Sequence, residues 1–184
     1  MLVMGLDIST TITALTLMDT DAPLATRHVL SDVLYLSKYK SIYDKSRHIR
    51  EVFENLAQEY QIDKVIAEES LQSFRSGFSS ARTLSTLTRF NGIVCYLAED
   101  VFKMPVELVN VIKARSALGI KINRKSEKST KDQVLEWVSS QKELENFDWP
   151  TKCLKSGPRR GQTVNDKSCF DIADSTVVCM FGMI

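Results

Sequence analysis

Apolar and β-branched residues crowd the start of the chain, where Leu2 to Ile8 and Ile12 to Met18 form two runs separated by the polar Ser9-Thr10-Thr11. Runs of that length bounded by turn residues predict strands. Ala25 to Leu30, after the Asp19 to Pro23 turn, predicts a weaker third strand, so the chain is expected to open with an antiparallel meander. From Asp44 onward the period changes: Ile49, Val52, Phe53, Leu56, Ala57 and Tyr60 recur at three- and four-residue intervals, one face of a helix. Lys64 to Ala67 predicts a short strand ending in Glu68 and Glu69. The Ser/Gly-rich segment Ser70 to Ser80 leads into a long helix through Leu84, Leu87, Ile93, Val94 and Leu97. Gly92 inside that helix costs about 1 kcal/mol relative to Ala, which predicts close packing there.

After Pro105, Val106 to Val111 predicts another strand. A short helix over Lys113 to Leu118 closes at Gly119, and a further helix over Lys131 to Ser140 has Ser129 or Thr130 as its N-cap. Gln141 to Lys167 contains Pro150, Gly157, Pro158 and Gly161 and predicts a long loop, a feature that is uncommon in compact domains unless it is functional. A last helix runs from about Ser168 to Met180. Three sequential strands followed by alternating helices and strands imply an α/β domain: a mixed sheet, antiparallel then parallel, with helices on both faces. The 184 residues suit a single domain spanning 1–184, with the basic loop at about 141–167.

Composition narrows the class of protein. No apolar run approaches the ~18–20 residues of a membrane span, and MLVMGLDIST has neither a basic leader nor a cleavage site, so a soluble cytoplasmic protein is expected. Four cysteines without C-x-x-C spacing and only two histidines argue against a zinc cluster. The net charge of +1 conceals an asymmetry, for the first hundred residues carry −3 and the remainder +4. One basic tract holds Lys113, Arg115, Lys121, Arg124, Lys125, Lys128 and Lys131 against Glu127 alone. A second holds Lys152, Lys155, Arg159, Arg160 and Lys167 against Asp166 alone. Such tracts can neutralise the phosphates of a polyanion or serve as solvated surface.

Four acids stand out. Asp7 ends the most apolar strand, Glu68 ends the strand after the first helix, and Asp171 and Asp174 lie three apart on one face of the last helix. An ionised carboxylate in apolar surroundings needs a cation, a hydrogen-bond cap or solvent. Acids from two strands and one helix that converge on one point would suit Mg²⁺ or Mn²⁺, and two such ions about 4 Å apart can support an in-line phosphoryl displacement. Ordinary roles also remain open: Asp7 as a turn cap, Glu68 as a solvated strand end, Asp171 as an N-terminal helix charge and Asp174 as a solvent-facing acid.

Gly5-Leu6-Asp7-Ile8-Ser9-Thr10, Val65-Ile66-Ala67-Glu68-Glu69 and Phe170-Asp171-Ile172-Ala173-Asp174-Ser175, in this order, resemble the RuvC-type Holliday junction resolvases of the ribonuclease H-like superfamily, closest to a divergent bacteriophage branch. The likeness runs from residue 2 to about 180. It implies a ribonuclease H-like fold and a homodimer that nicks two opposed strands of a four-way DNA junction, leaving 5′-phosphate ends. Two Mg²⁺ or Mn²⁺ ions per site would be held by Asp7, Glu68, Asp171 and Asp174. Val109 to Arg115 and Ser129 to Val134 resemble the family's lysine-bearing segments, so Lys113 and Lys131 would contact phosphates near the cut. Ser70 to Ser80 matches a junction-probing loop; Leu71 stands where cellular enzymes have an aromatic wedge, and Phe74, Arg75 and Phe78 are the residues expected to meet DNA. The basic tracts, Arg159 and Arg160 included, would bind the backbone.

Other readings stay open. The same chemistry can serve flaps, other branched DNA or RNA–DNA hybrids, and the fold can also act as a non-catalytic nucleic-acid-binding module. Gly5-x-Asp7-x-Ser9-Thr10 also resembles the first phosphate loop of actin-like sugar kinases, which need a second domain beyond what 184 residues are expected to supply.

Overall fold

The computed structural model describes residues 1–70 and 81–184. Strands β1 (Leu2–Ile8) and β2 (Ile12–Asp19) pair antiparallel, with Leu6 opposite Leu15. Ser9 locks the turn between them: its hydroxyl accepts from the Ile12 amide at 3.1 Å and donates to the Ile12 carbonyl at 2.6 Å, while Thr13 Oγ1 donates to the Ser9 carbonyl at 3.1 Å. Strand β3 (His28–Tyr35) pairs with β2. It lies later than the Ala25 to Leu30 expected from sequence. Leu24–Thr26 instead form a single 3-10 turn behind Pro23, and the polar Ser31 and Asp32 obscure a strand that runs along the sheet edge.

Helix α1 (Ile42–Glu59) leads to β4 (Lys64–Glu68), and α2 (Ala81–Phe102) to β5 (Val106–Val109). The sheet order is β3-β2-β1-β4-β5, antiparallel for the first three strands and parallel from β1 through β5. This is the expected mixed sheet. Period-two alternation divides the core between its faces. Met4, Leu6, Ile8, Val65 and Ala67 pack with Ile49, Phe53, Phe90 and Val94 of α1 and α2. Val3 and Ile66 pack on the opposite face with Ala114 of α3 (Val111–Ala117), Val134 and Val138 of α4 (Thr130–Ser139), and Val177 and Val178 of α5 (Ser168–Gly182). Ser129 caps α4 in a reciprocal capping box with Asp132, an arrangement worth about 1 kcal/mol.

Helix α5 is apolar almost all round and crosses the middle of the sheet against β1 and β2. Gly5 permits the crossing, because a Cβ there would lie 2.4 Å from both the Cys179 amide nitrogen and the Ser175 carbonyl oxygen. A Cβ on Gly182 would similarly meet Val3 and Ile66 at about 3 Å. Gly182 at Val3 and Ser175 at Gly5 set the helix antiparallel to β1. The first turns of α5 therefore reach the end of β1 that carries Asp7.

Two expectations need correction. Among the described residues, a Cβ on Gly92 would meet nothing within 4 Å rather than a packed neighbour. The segment 141–167 is not one loop: it holds a 3-10 turn at Lys142–Leu144 and a hairpin of β6 (Thr151–Cys153) with β7 (Thr163–Asn165). Three-residue strands are too short to register as a periodic pattern, and cross-strand pairing makes them. Among the described residues, no helix is long and apolar enough to cross a membrane.

Candidate active site

Alternation along the two central strands decides which way the acids face. Asp7 shares its parity with Val3 and Gly5, and Glu68 with Ile66, so both carboxylates project toward α5. The parallel register Leu6 to Ala67 makes Asp7 and Glu68 neighbours one position farther along. Beyond Glu68 the strand end is held in place, since the Glu69 amide donates to the Val109 carbonyl at 2.8 Å and the buried Asn91 side chain of α2 donates to the Glu68 carbonyl at 3.1 Å.

Asp171 and Asp174 arrive from the first turns of α5. The helix is seated by a buried hydroxyl cluster in which Thr16, opposite Gly5 on β2, lies 2.9 Å from Ser175 and 3.2 Å from Thr176, and 2.9 Å from Ser31 of β3. Asp174 is 7% exposed and accepts a 2.8 Å bond from the Arg115 guanidinium of α3, itself only partly exposed. Asn110 caps that helix by accepting from the Ile112 and Lys113 amides.

The four acids act on one another. Burial, then the charge of Asp174, then those of Glu68 and Asp171 hold the Asp7 carboxyl well above the usual carboxylate range, with Lys131 pulling the other way. Burial and Asp174 push Glu68 up to about 7, opposed by Arg115 and Lys131. Asp171 is raised by burial, with Asp174 adding to it and Lys131 opposing. Lys131 is exposed on the first turn of α4, its ammonium 6.0 Å from the centre of the Phe170 ring. Acids that repel one another in a partly dry site are poised for a cation or for protons.

The donor set suits a hard divalent ion, for all four side chains offer carboxylate oxygen. Among the described residues, no group of three or more His, Cys, Asp or Glu side chains stands close enough together to hold a metal ion. The Arg115 guanidinium engages Asp174 instead.

The other residues singled out in the sequence are dispersed. Lys113 is exposed on α3, and it is Arg115, two positions on, that faces the acids. Lys121, Arg124 and Lys125 are exposed in the segment between α3 and α4, whereas Lys128 is held by Glu136 at 2.8 Å. A groove of about 320 Å³ lined by residues including Ile112, Arg115, Ile120, Ile122, Arg124 and Thr130 runs from Arg115 toward this segment. Arg159 and Arg160 lie on the β6–β7 hairpin. Phe74, Arg75 and Phe78, with Leu71, fall outside the described residues. Sequence reasoning missed Asn91 and Thr16. Their only signal was a polar residue inside an apolar helix or strand, and the partners lie far away in the chain.

No family model and no curated protein matches the chain. Solved structures do. Thermus thermophilus RuvC in complex with Holliday junction substrate superposes with a TM-score of 0.63 at 14% identity, covering 98% of this chain and 93% of that one. Another T. thermophilus RuvC structure gives 0.61 at 16% identity over 98% and 94% of the two chains. The yeast mitochondrial Holliday junction resolvase Ydc2 gives 0.60 at 17% identity, over 98% of this chain and 77% of that one. With the β3-β2-β1-β4-β5 sheet, the central α5 and the helices on both faces, the chain has the ribonuclease H-like fold of RuvC and Ydc2.

Proposed function

We propose that this protein is a metal-dependent, structure-selective endodeoxyribonuclease that resolves four-way DNA junctions by paired symmetric nicks as a homodimer. The observation that carries the reading is the set of four mutually repelling carboxylates, from β1, β4 and α5, on one face of the fold shared with RuvC and Ydc2. Asp7, Glu68, Asp171 and Asp174 would hold Mg²⁺ or Mn²⁺. When bound, such ions supply activation of water and neutralisation of charge on a phosphodiester.

The chain's own residues account for the rest. Asp7 is the acid on which the charges of Asp174, Glu68 and Asp171 converge, so a bound cation would relieve repulsion there first. Arg115 orients Asp174 and balances its charge, so the most buried acid is kept in place without collapse of the cluster. Lys131 of α4 opposes the charge of Asp7 and Glu68 and would hold a phosphate oxygen beside them. His28 packs on Phe147 and His48 on Tyr39, and neither matches a functional position of the resembled family, so no histidine is assigned as base. The products would carry 5′-phosphate and 3′-hydroxyl ends.

The test is cleavage of matched four-way junction, flap, duplex and hybrid substrates with Mg²⁺ or Mn²⁺, beside Asp7→Asn and a measurement of molecular mass. Paired nicks in the junction alone, a dimeric mass, and an Asp7→Asn protein that binds the junction without cutting it are the expected results. An Asp7→Asn protein that cuts at the wild-type rate would overturn the reading.

A further inference from the structure

Resting on the junction-nuclease reading, we infer that the β6–β7 hairpin is a second phosphate-binding element, one that grips the backbone of a duplex arm away from the carboxylates. Its tip is a built turn. The Leu154 amide donates to the Gln162 carbonyl at 3.0 Å, Gly161 to Leu154 at 2.8 Å, Arg160 to Gly157 at 3.1 Å and Gln162 to Arg159 at 3.1 Å. Gly157 and Gly161 sit at φ 82° and 87°, the left-handed conformations that the turn requires.

This closed turn displays Lys155, Arg159 and Arg160, all exposed and, among the described residues, in no ion pair. No acid occurs from Leu154 through Asn165. Three like charges held on a tight turn repel one another, and a polyanion relieves that repulsion by giving up its own counterions.

The base of the hairpin is fixed to the candidate active site. The Asp166 amide donates to the Pro150 carbonyl at 2.8 Å, Lys152 pairs with Asp166 at 3.3 Å, and Asp166 Oδ1 accepts from the Ser168 amide at 2.9 Å at the start of α5, the helix that carries Asp171. From Asp166, the strand Thr163–Asn165 and the turn beyond it carry Arg160 at most ~20 Å away, at ~3.3 Å per residue. That span corresponds to about six base pairs of duplex at ~3.4 Å each. A basic tip set off from the carboxylates within that span meets a duplex arm beside the cut rather than the scissile phosphate itself.

The experiment measures binding in EDTA, as a function of salt, to four-way junctions with arms of about 20 base pairs or of about 5 base pairs closed by tetraloops, the latter ending short of that maximal span. The wild type is compared with the Lys155→Ser, Arg159→Ser, Arg160→Ser triple variant. On long arms the variant should lower the log–log salt slope by about 2 to 3, at ~0.9 per phosphate contact, and weaken binding at least about tenfold at moderate salt. On short arms variant and wild type should coincide. An unchanged slope on long arms, as for solvated surface or an acidic-protein contact, overturns the inference, as does an equal loss on both arm lengths. Should the triple variant fail to fold, single substitutions, each lowering the slope by about 0.9, decide the matter. A wild type that binds no DNA sinks the nuclease reading itself, an outcome distinct from a change confined to the variant.

Discussion

Glu68→Gln isolates the energetic cost of gathering these acids. Burial and the charge of Asp174 lift the Glu68 carboxyl from an ordinary 4.5 to about 7. Between those values the folded protein binds a proton more readily than the unfolded chain does, so the contribution of Glu68 to stability is greatest below pH 4.5 and declines as pH rises to about 7. At pH 8 the ionised side chain would cost about 3 kcal/mol, taking 1.36 kcal/mol for each pH unit between the two values. Glutamine keeps the shape and removes the charge. In EDTA, denaturant unfolding should find Glu68→Gln about 2 to 3 kcal/mol more stable than wild type at pH 8, with a melting point higher by about 5–10 °C and the gap closing near pH 4.5. Asp171 is raised in both proteins and cancels in the difference, whereas Asp7 loses the repulsion of Glu68 in the variant, which adds to the variant's gain at high pH. Millimolar Mg²⁺ or Mn²⁺ should then stabilise the wild type by about 1–3 kcal/mol and the variant by less, because ligand binding to the folded state alone adds RT ln(1 + [L]/Kd). A stability gap that does not change with pH, or a wild type more stable than the variant at pH 8 without metal, would refute the reasoning.

Removing Arg115 should have the opposite sign: Arg115→Ala strands the buried Asp174 charge and should cost about 3 kcal/mol in EDTA at pH 8, read by the same unfolding curves. Gly5→Ala drives a Cβ into the backbone of α5, and a loss of about 3 kcal/mol or more, or failure to express as folded protein, is expected by circular dichroism and melting. Gly92→Ala adds a methyl that meets nothing within 4 Å among the described residues and should raise stability by roughly 0.5–1 kcal/mol; a destabilised Gly92→Ala protein would reveal a neighbour packed on that face of α2.

The fold class, most of the element order and the strand-end positions of Asp7 and Glu68 were legible from one dimension because they are set by local periodicity. A strand buried on both faces reads as a continuous apolar run, and side-chain parity then follows from counting along it. The Ser129 cap and the end of α3 near Gly119 were legible for the same local reason, since caps are written within four residues. Strand β3 and the β6–β7 hairpin were not, because edge pairing and cross-strand hydrogen bonds, rather than apolar runs, stabilise them. Gly92 misled because a glycine in a helix signals a backbone cost without saying whether anything approaches. Only the tertiary structure could assign Arg115 rather than Lys113 to Asp174, or bring Thr16, Ser175 and Asn91 to support the acids. Those contacts span 59, 159 and 23 residues of chain; the first two depend on α5 lying antiparallel across β1 at Gly5 and the third on α2 packing beside β4, packing choices that no local pattern encodes.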